Sequence, residues 1–123
     1  MVIGFLLPTG VIIFLCWASY FADSHYLYKK VYWFFEFCHL SAGFFVAAFL
    51  ANILNLPELI VVGTLVVGVL WELYELADER WKYFRKLLGK HETKHHKMTW
   101  SDTLLDLALD TLGAVLYTTV ILK

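Results

Sequence analysis

Seven side chains carry the chemistry open to this sequence: Glu36, His39, Glu72, Glu75, Asp102, Asp106 and Asp110. Their spacing is helical. Glu36 and His39 stand three apart, as do Glu72 and Glu75. Asp102, Asp106 and Asp110 repeat every four residues, so each set lies on one helix face. All seven fall inside or at the mouths of apolar runs whose cores contain no Lys or Arg. An acid at the centre of a membrane helix costs about 2.5–3.5 kcal/mol on insertion scales. A carboxylate in low dielectric escapes that cost by protonating, by pairing with a cation or by binding a metal. Oxygen-rich sites suit Mg²⁺, Mn²⁺ or Ca²⁺, and an added imidazole admits Zn²⁺ or Fe²⁺. Glu36-Phe37-Cys38-His39 is a Glu-x-x-His pair, the unit of di-metal helix bundles, here in a single copy. His39, Glu36, Glu72, Asp106 and Asp110 are therefore the candidate ligands of a divalent metal: Zn, Mn, Fe or Mg. Glu75 and Asp102 are the candidates to orient water as general base. Two other readings stay open: a proton or cation relay without stable metal, and a satisfied polar network that only fixes helix packing.

The elements that position these groups follow from composition. Of 123 residues, 60% are hydrophobic and 17% charged, with a mean hydropathy of +0.65. Soluble domains run at roughly 45–50% apolar and about 25% charged. A chain this apolar has too little polar surface to cover itself in water. Its net charge of −1 argues against nucleic acid as the main partner, and two cysteines make no disulfide framework. A helix needs about 20 apolar residues to cross the hydrocarbon core. Four stretches qualify: Val2 to about Tyr20, about Val31 to Leu54, about Pro57 to Leu76, and about Thr103 to Leu122. The sequence thus predicts an all-α integral membrane four-helix bundle, a single transmembrane domain over residues 1–123. Pro57 suits the first turn of the third helix, and Thr99 with Asp102 resembles a capping box opening the fourth. The first span lacks a charged leading segment and its apolar run is long for a signal peptide, so it reads as a span.

Orientation follows from the cations. Lys29 and Lys30 lie between the first two spans. Arg80, Lys82, Arg85, Lys86, Lys90, Lys94 and Lys97 lie between the last two. The positive-inside rule places both basic loops in the cytoplasm and both termini outside the cell (inner) membrane, with Lys123 as a mild dissent. Counting inward from the cytoplasmic ends puts Glu36 and His39 about 5 and 8 residues deep, Glu75 and Glu72 about 4 and 7, and the three aspartates about 2, 6 and 10. The three stripes then meet in one pocket open to the cytoplasm. Within the cytoplasmic segment 79–98, Trp81, Phe84, Leu87 and Leu88 repeat at helical spacing among cations, which predicts an interfacial amphipathic helix ending at Gly89. It would lie on lipid headgroups, or bind an anionic lipid phosphate through Arg80 and Arg85.

Trp71-Glu72-Leu73-Tyr74-Glu75, followed by the run from Asp102-Thr103 through Asp106 and Asp110 to Gly113, resembles the VanZ-like and YjdF-like small membrane proteins. Their pattern is an early His, an acidic pair and a later Asp-x-x-x-Asn/Asp-x-x-Gly. By resemblance His39, the pair Glu72 and Glu75, and Asp106, Asp110 and Gly113 fill those places over roughly residues 31–117. Asp110 stands where the VanZ-like branch commonly has Asn, which makes the site more acidic. The resemblance implies a bacterial or archaeal cell-membrane protein acting near the envelope or its lipids.

Other motifs carry less. His91-Glu92-Thr93-Lys94-His95 spells the zincin pattern, but in a polar basic loop rather than on a helix, and it reads as solvated. Cys16 and Cys38 read as small apolar fillers. Gly43, Gly63, Gly68 and Gly113 read as points of close helix approach, and the tryptophans near span ends, Trp71 among them, as interfacial anchors. The leading expectation is a metal-binding membrane protein acting on a lipid or isoprenoid-phosphate headgroup, as a metal-dependent hydrolase. The alternatives are a proton- or cation-conducting protein and an accessory subunit of a larger membrane complex. Beyond the bilayer itself, small size points to a homo-oligomer or such a complex.

Overall fold

The computed structural model describes residues 2–24, 32–89 and 98–122. Among the described residues every regular element is a helix. Four are long: α1 (Val2–Ser24), α2 (Tyr32–Leu50), α3 (Pro57–Arg80) and α5 (Trp100–Val120). The six-residue α4 (Lys82–Leu87) stands between α3 and α5. Each long helix is long and apolar enough to cross a membrane. Hydrocarbon offers backbone groups no partner, so an apolar chain there satisfies them within helices. The outer surface fits that medium: Leu6, Trp33, Leu70 and Leu104 are all at least 60% exposed.

The helix ends depart from the apolar runs, for local reasons. α1 continues to Ser24, past Tyr20. α2 stops at Leu50, short of Leu54. The Asn52 side-chain amide donates to the Ala48 carbonyl at 2.8 Å and to the Phe49 carbonyl at 3.3 Å. It thereby satisfies carbonyls that another helical turn would use. The same amide donates to the Gly4 carbonyl at 3.0 Å, tying the end of α2 to the start of α1. α3 runs on through Arg80, since a helix need not be apolar once it leaves hydrocarbon, and breaks at Trp81 in extended conformation. α5 opens at Trp100, before Thr103. Thr99 is its N-cap: the Asp102 N–H donates to Thr99 Oγ1 at 3.3 Å, and that hydroxyl donates to Asp102 Oδ2 at 2.6 Å. The expected amphipathic helix is shorter than its spacing suggested. Glu79 and Arg80 belong to α3, the break falls on Trp81, and only six residues form α4. Gly89 follows α4 with φ of +70°, the left-handed turn that glycine adopts without strain.

Packing centres on α2 and α5. A Cβ on Gly43 would run into the Asp110 backbone, and one on Gly113 into the Leu40 carbonyl and Phe44 nitrogen. These two glycines let the helices cross backbone to backbone. α3 packs on both, while α1 packs along α2. Ala47, Ile60 and Ala114 form the apolar core, flanked by Leu50, Leu54 and Tyr117, and the Phe44 and Tyr117 rings meet edge to face at 5.2 Å. This core occupies one end of the bundle. At the other end the Tyr20 hydroxyl donates to the Leu88 carbonyl at 3.1 Å, bridging α1 to the end of α4. The basic loop residues Lys29, Lys30, Lys90, Lys94 and Lys97, together with His25 and the His91–His96 motifs, lie outside the described residues.

Candidate functional site

A cavity of about 360 Å³ occupies the end of the bundle away from the apolar core. α2 supplies Glu36 and His39 to its wall, α3 supplies Glu72, Glu75, Asp78 and Glu79, and α5 supplies Asp102 and Asp106. α4 adds Arg85 and α1 adds Cys16, Ser19, Tyr20 and Asp23.

The glycine crossing sets the geometry. His39 stands one turn before Gly43, and Asp110 three residues before Gly113, so the α2–α5 contact brings imidazole and carboxylates together. His39 Nδ1 lies 3.4 Å from Asp110 Oδ1, and its Nε2 lies 3.7 Å from Asp106 Oδ2. α3 approaches the same point: a Cβ on Gly68 would sit 2.7 Å from Asp110 Oδ2, so the glycine leaves room for that carboxylate. One ligand atom from each of His39, Glu72 and Asp106 lies within 4.8 Å of the other two. Glu72 is 5% exposed, and both its carboxylate oxygens are buried without a hydrogen-bond partner among the described residues. Buried oxygens are ordinarily hydrogen-bonded, and such a carboxylate, with the Thr103 side chain beside it, is met by a proton or by a cation.

The other expected residues sort around this group. Asp110 meets Nδ1 of the imidazole, the nitrogen opposite the one that Asp106 meets, and lies outside the three-residue group. Glu36 lines the cavity, with Oε2 buried and without a hydrogen-bond partner among the described residues. Glu75 Oε1 accepts a hydrogen bond from Trp71 Nε1 at 2.9 Å. Asp102 lies at the cavity mouth, engaged with the Thr99 cap. The two arginines separate. Arg85 is 7% exposed, with Nη1 3.6 Å from Asp78 Oδ2 and Nε buried without a hydrogen-bond partner among the described residues. Arg80 is exposed and outside the cavity wall.

Several wall residues were not evident from the acidic stripes. Cys16, Ser19 and Asp23 recur at i, i+3 and i+7, a polar stripe that the high apolar content of α1 conceals. Asp78 and Glu79 extend the Glu72/Glu75 face beyond the apolar run. Cys38 is buried, as a filler would be, but Cys16 is exposed and faces the cavity. Trp71 stands in the cavity wall and donates to Glu75. Met98, just before α5, is also tied in, since its N–H donates to Glu79 Oε2 at 3.1 Å.

A histidine and two carboxylates around one point form a donor set for a divalent cation with open positions left for water or substrate. The line Asp106–His39–Asp110 is equally a carboxylate–imidazole–carboxylate chain. Four membrane-crossing helices around this polar cavity define a multi-pass membrane protein. The chain belongs to the family described as "Predicted membrane protein (DUF2238)", whose model matches residues 4–123. No curated protein and no solved structure matches it.

Proposed function

We propose that this protein binds a divalent metal through His39, Glu72 and Asp106 and acts on the phosphate headgroup of a lipid or isoprenoid at the cytoplasmic face of the cell membrane. The observation that supports the reading is the buried Glu72 carboxylate within 4.8 Å of the His39 and Asp106 ligand atoms. The ion would polarise a phosphoryl oxygen, and Glu75 or Asp102 would take a proton from the attacking water. Arg85, buried in the same wall, is the cation available to a phosphate. Asp110 would hold the His39 ring by its other nitrogen, as carboxylates commonly do for metal-bound histidines. The VanZ-like and YjdF-like resemblance supports the same direction, toward the envelope and its lipids, and the basic residues of the sequence on either side of the acidic spans support a cytoplasmic setting by the positive-inside rule.

Elemental analysis of protein purified in mild detergent without chelator tests this directly. Near-stoichiometric metal in the wild type and its loss in Asp106→Ala is the expected result. Metal-free wild type after incubation with Zn²⁺, Mn²⁺, Fe²⁺ and Mg²⁺ in turn rejects it. One observation favours a second reading: each nitrogen of His39 faces a carboxylate, as a proton relay requires. That reading expects proton flux in liposomes under a pH gradient, abolished by Asp110→Asn.

A further inference from the structure

α1 leans on α2 and makes no close backbone approach to α3 among the described residues. The space between them is a second cavity of about 100 Å³. Its wall is mostly apolar: Ile12 and Leu15 from α1, Ala42 and Val46 from α2, Thr64 and Val67 from α3. Val67 is 41% exposed, so the slot opens sideways to the medium around the helices. Thr64 closes its inner side, 1% exposed, with its hydroxyl donating to the Ile60 carbonyl at 2.9 Å. The polar side chains of its wall, Ser19, His39, Glu75 and Asp110, either line the acidic cavity as well or adjoin His39, and the rest of the slot is apolar.

The slot is continuous with the acidic cavity. Cys16, Ser19, Phe35, His39, Trp71 and Glu75 line both. Trp71 lines both spaces, with its N–H on Glu75, as suits an amphipathic side chain at a polar–apolar border. A molecule filling both spaces must be an amphiphile, with an anionic or metal-seeking head toward Arg85 and Glu72 and a hydrocarbon chain toward Val67. The medium facing Val67 in a membrane is acyl chain. An open apolar slot there gains dispersion contacts only from something that fits it.

We infer that the slot between α1 and α3 is the binding site for the hydrocarbon chain of a membrane lipid, which enters sideways from the bilayer and sets its phosphate headgroup in the acidic cavity. The inference rests on the headgroup reading above for what the cavity end takes, while the slot itself stands on the α1–α3 gap. The chain runs from the cavity end toward mid-membrane, the direction of a lipid of the same leaflet. α1 is thus one wall of an entry path, which explains why it carries cavity residues without packing on α3.

The test uses the full-length protein in nanodiscs containing phosphatidylglycerol with a mid-chain diazirine, followed by peptide mapping of the crosslinks. Labelling is expected to concentrate on Ile12, Leu15 and Val67, above Ile13 and Leu70, which face outward at 64% and 60% exposure. Val67→Trp, which fills the slot, is expected to bring the Ile12 and Leu15 signals down to the level of Ile13. Leu70→Trp, on the outer face, serves as the steric control and leaves them high. Labelling spread evenly over all five positions, or unmoved by Val67→Trp in protein of native helicity, overturns the inference. A Val67→Cys variant that is joined to a second copy by a bifunctional thiol crosslinker overturns it as well, because a second copy would then fill the slot. Metal content measured on the same samples judges the other reading separately: metal-free protein with a labelled slot refutes the metal site and keeps the chain site.

Discussion

Replacing Asp110 by Asn separates holding a ligand from being one. On the metal reading, the ion lies among His39, Glu72 and Asp106 and is held by Nε2, the nitrogen facing Asp106, while Asp110 meets the other nitrogen, Nδ1, at 3.4 Å. The geometry is close to what an ion needs. A point equidistant from the corners of a triangle with sides of 4.8 Å lies about 2.8 Å from each, against ~2.0–2.2 Å for zinc bonds to nitrogen and oxygen. Each side chain therefore has to move inward by less than about 1 Å, a small χ adjustment. Asn keeps the size of Asp110 and can accept from Nδ1–H, but it removes the charge that makes the imidazole a better donor. Losing such a supporting carboxylate weakens metal affinity by about 10–100-fold, which is about 1.4–2.7 kcal/mol. Asp106→Ala removes a ligand and should abolish stoichiometric binding. The assay is competition against a chromophoric Zn²⁺ chelator in detergent, with circular dichroism confirming equal helicity. Wild-type affinity in Asp110→Asn refutes the orienting role. Complete loss of binding in Asp110→Asn, matching Asp106→Ala, refutes the division between the two aspartates.

Three further predictions concern the scaffold. Gly113→Leu drives a side chain into the Leu40 carbonyl and Phe44 nitrogen, and should destabilise the α2–α5 pair by at least about 1–3 kcal/mol, read as easier unfolding in rising SDS within mixed micelles. An unchanged midpoint would mean that the helices cross elsewhere. Asp78→Ala strands the buried Arg85 guanidinium, and should cost up to about 3–5 kcal/mol where the double variant Asp78→Leu/Arg85→Met costs less. Thermal unfolding of the pair measures the difference, and equal losses would show that the ion pair is solvated. Thr99→Ala removes the cap of α5 and should cost about 1 kcal/mol, seen as faster amide exchange over residues 101–104 with the rest of α5 unaffected. Protection kept at those amides would mean that Asp102 caps the helix without the threonine.

Much of this molecule is legible in its sequence, for reasons that are local or set by the bilayer. Hydrocarbon leaves the backbone no partner outside its own helix, so four apolar runs become four helices, and Pro57, Thr99 and Gly89 mark ends by chemistry that acts over one turn. Helical period alone puts Glu72 with Glu75, and Asp106 with Asp110, on shared faces. The tertiary structure decided what periodicity cannot: how far each helix is rotated and shifted against its neighbours. Backbone contact at Gly43 and Gly113 fixes that offset. It therefore sets Asp106 against one nitrogen of His39 and Asp110 against the other, while the approach of α3 brings Glu72 to the same group and leaves Glu75 on the wall. The break at Trp81 turns Arg85 inward while Arg80 stays out, although both belong to the same basic stretch. α1 enters the site through Cys16, Ser19 and Asp23 because it packs on α2 and stands off α3. A residue's face is set by its own helix, but its partner is set by where two helices touch, and that depends on side chains far from it in the chain.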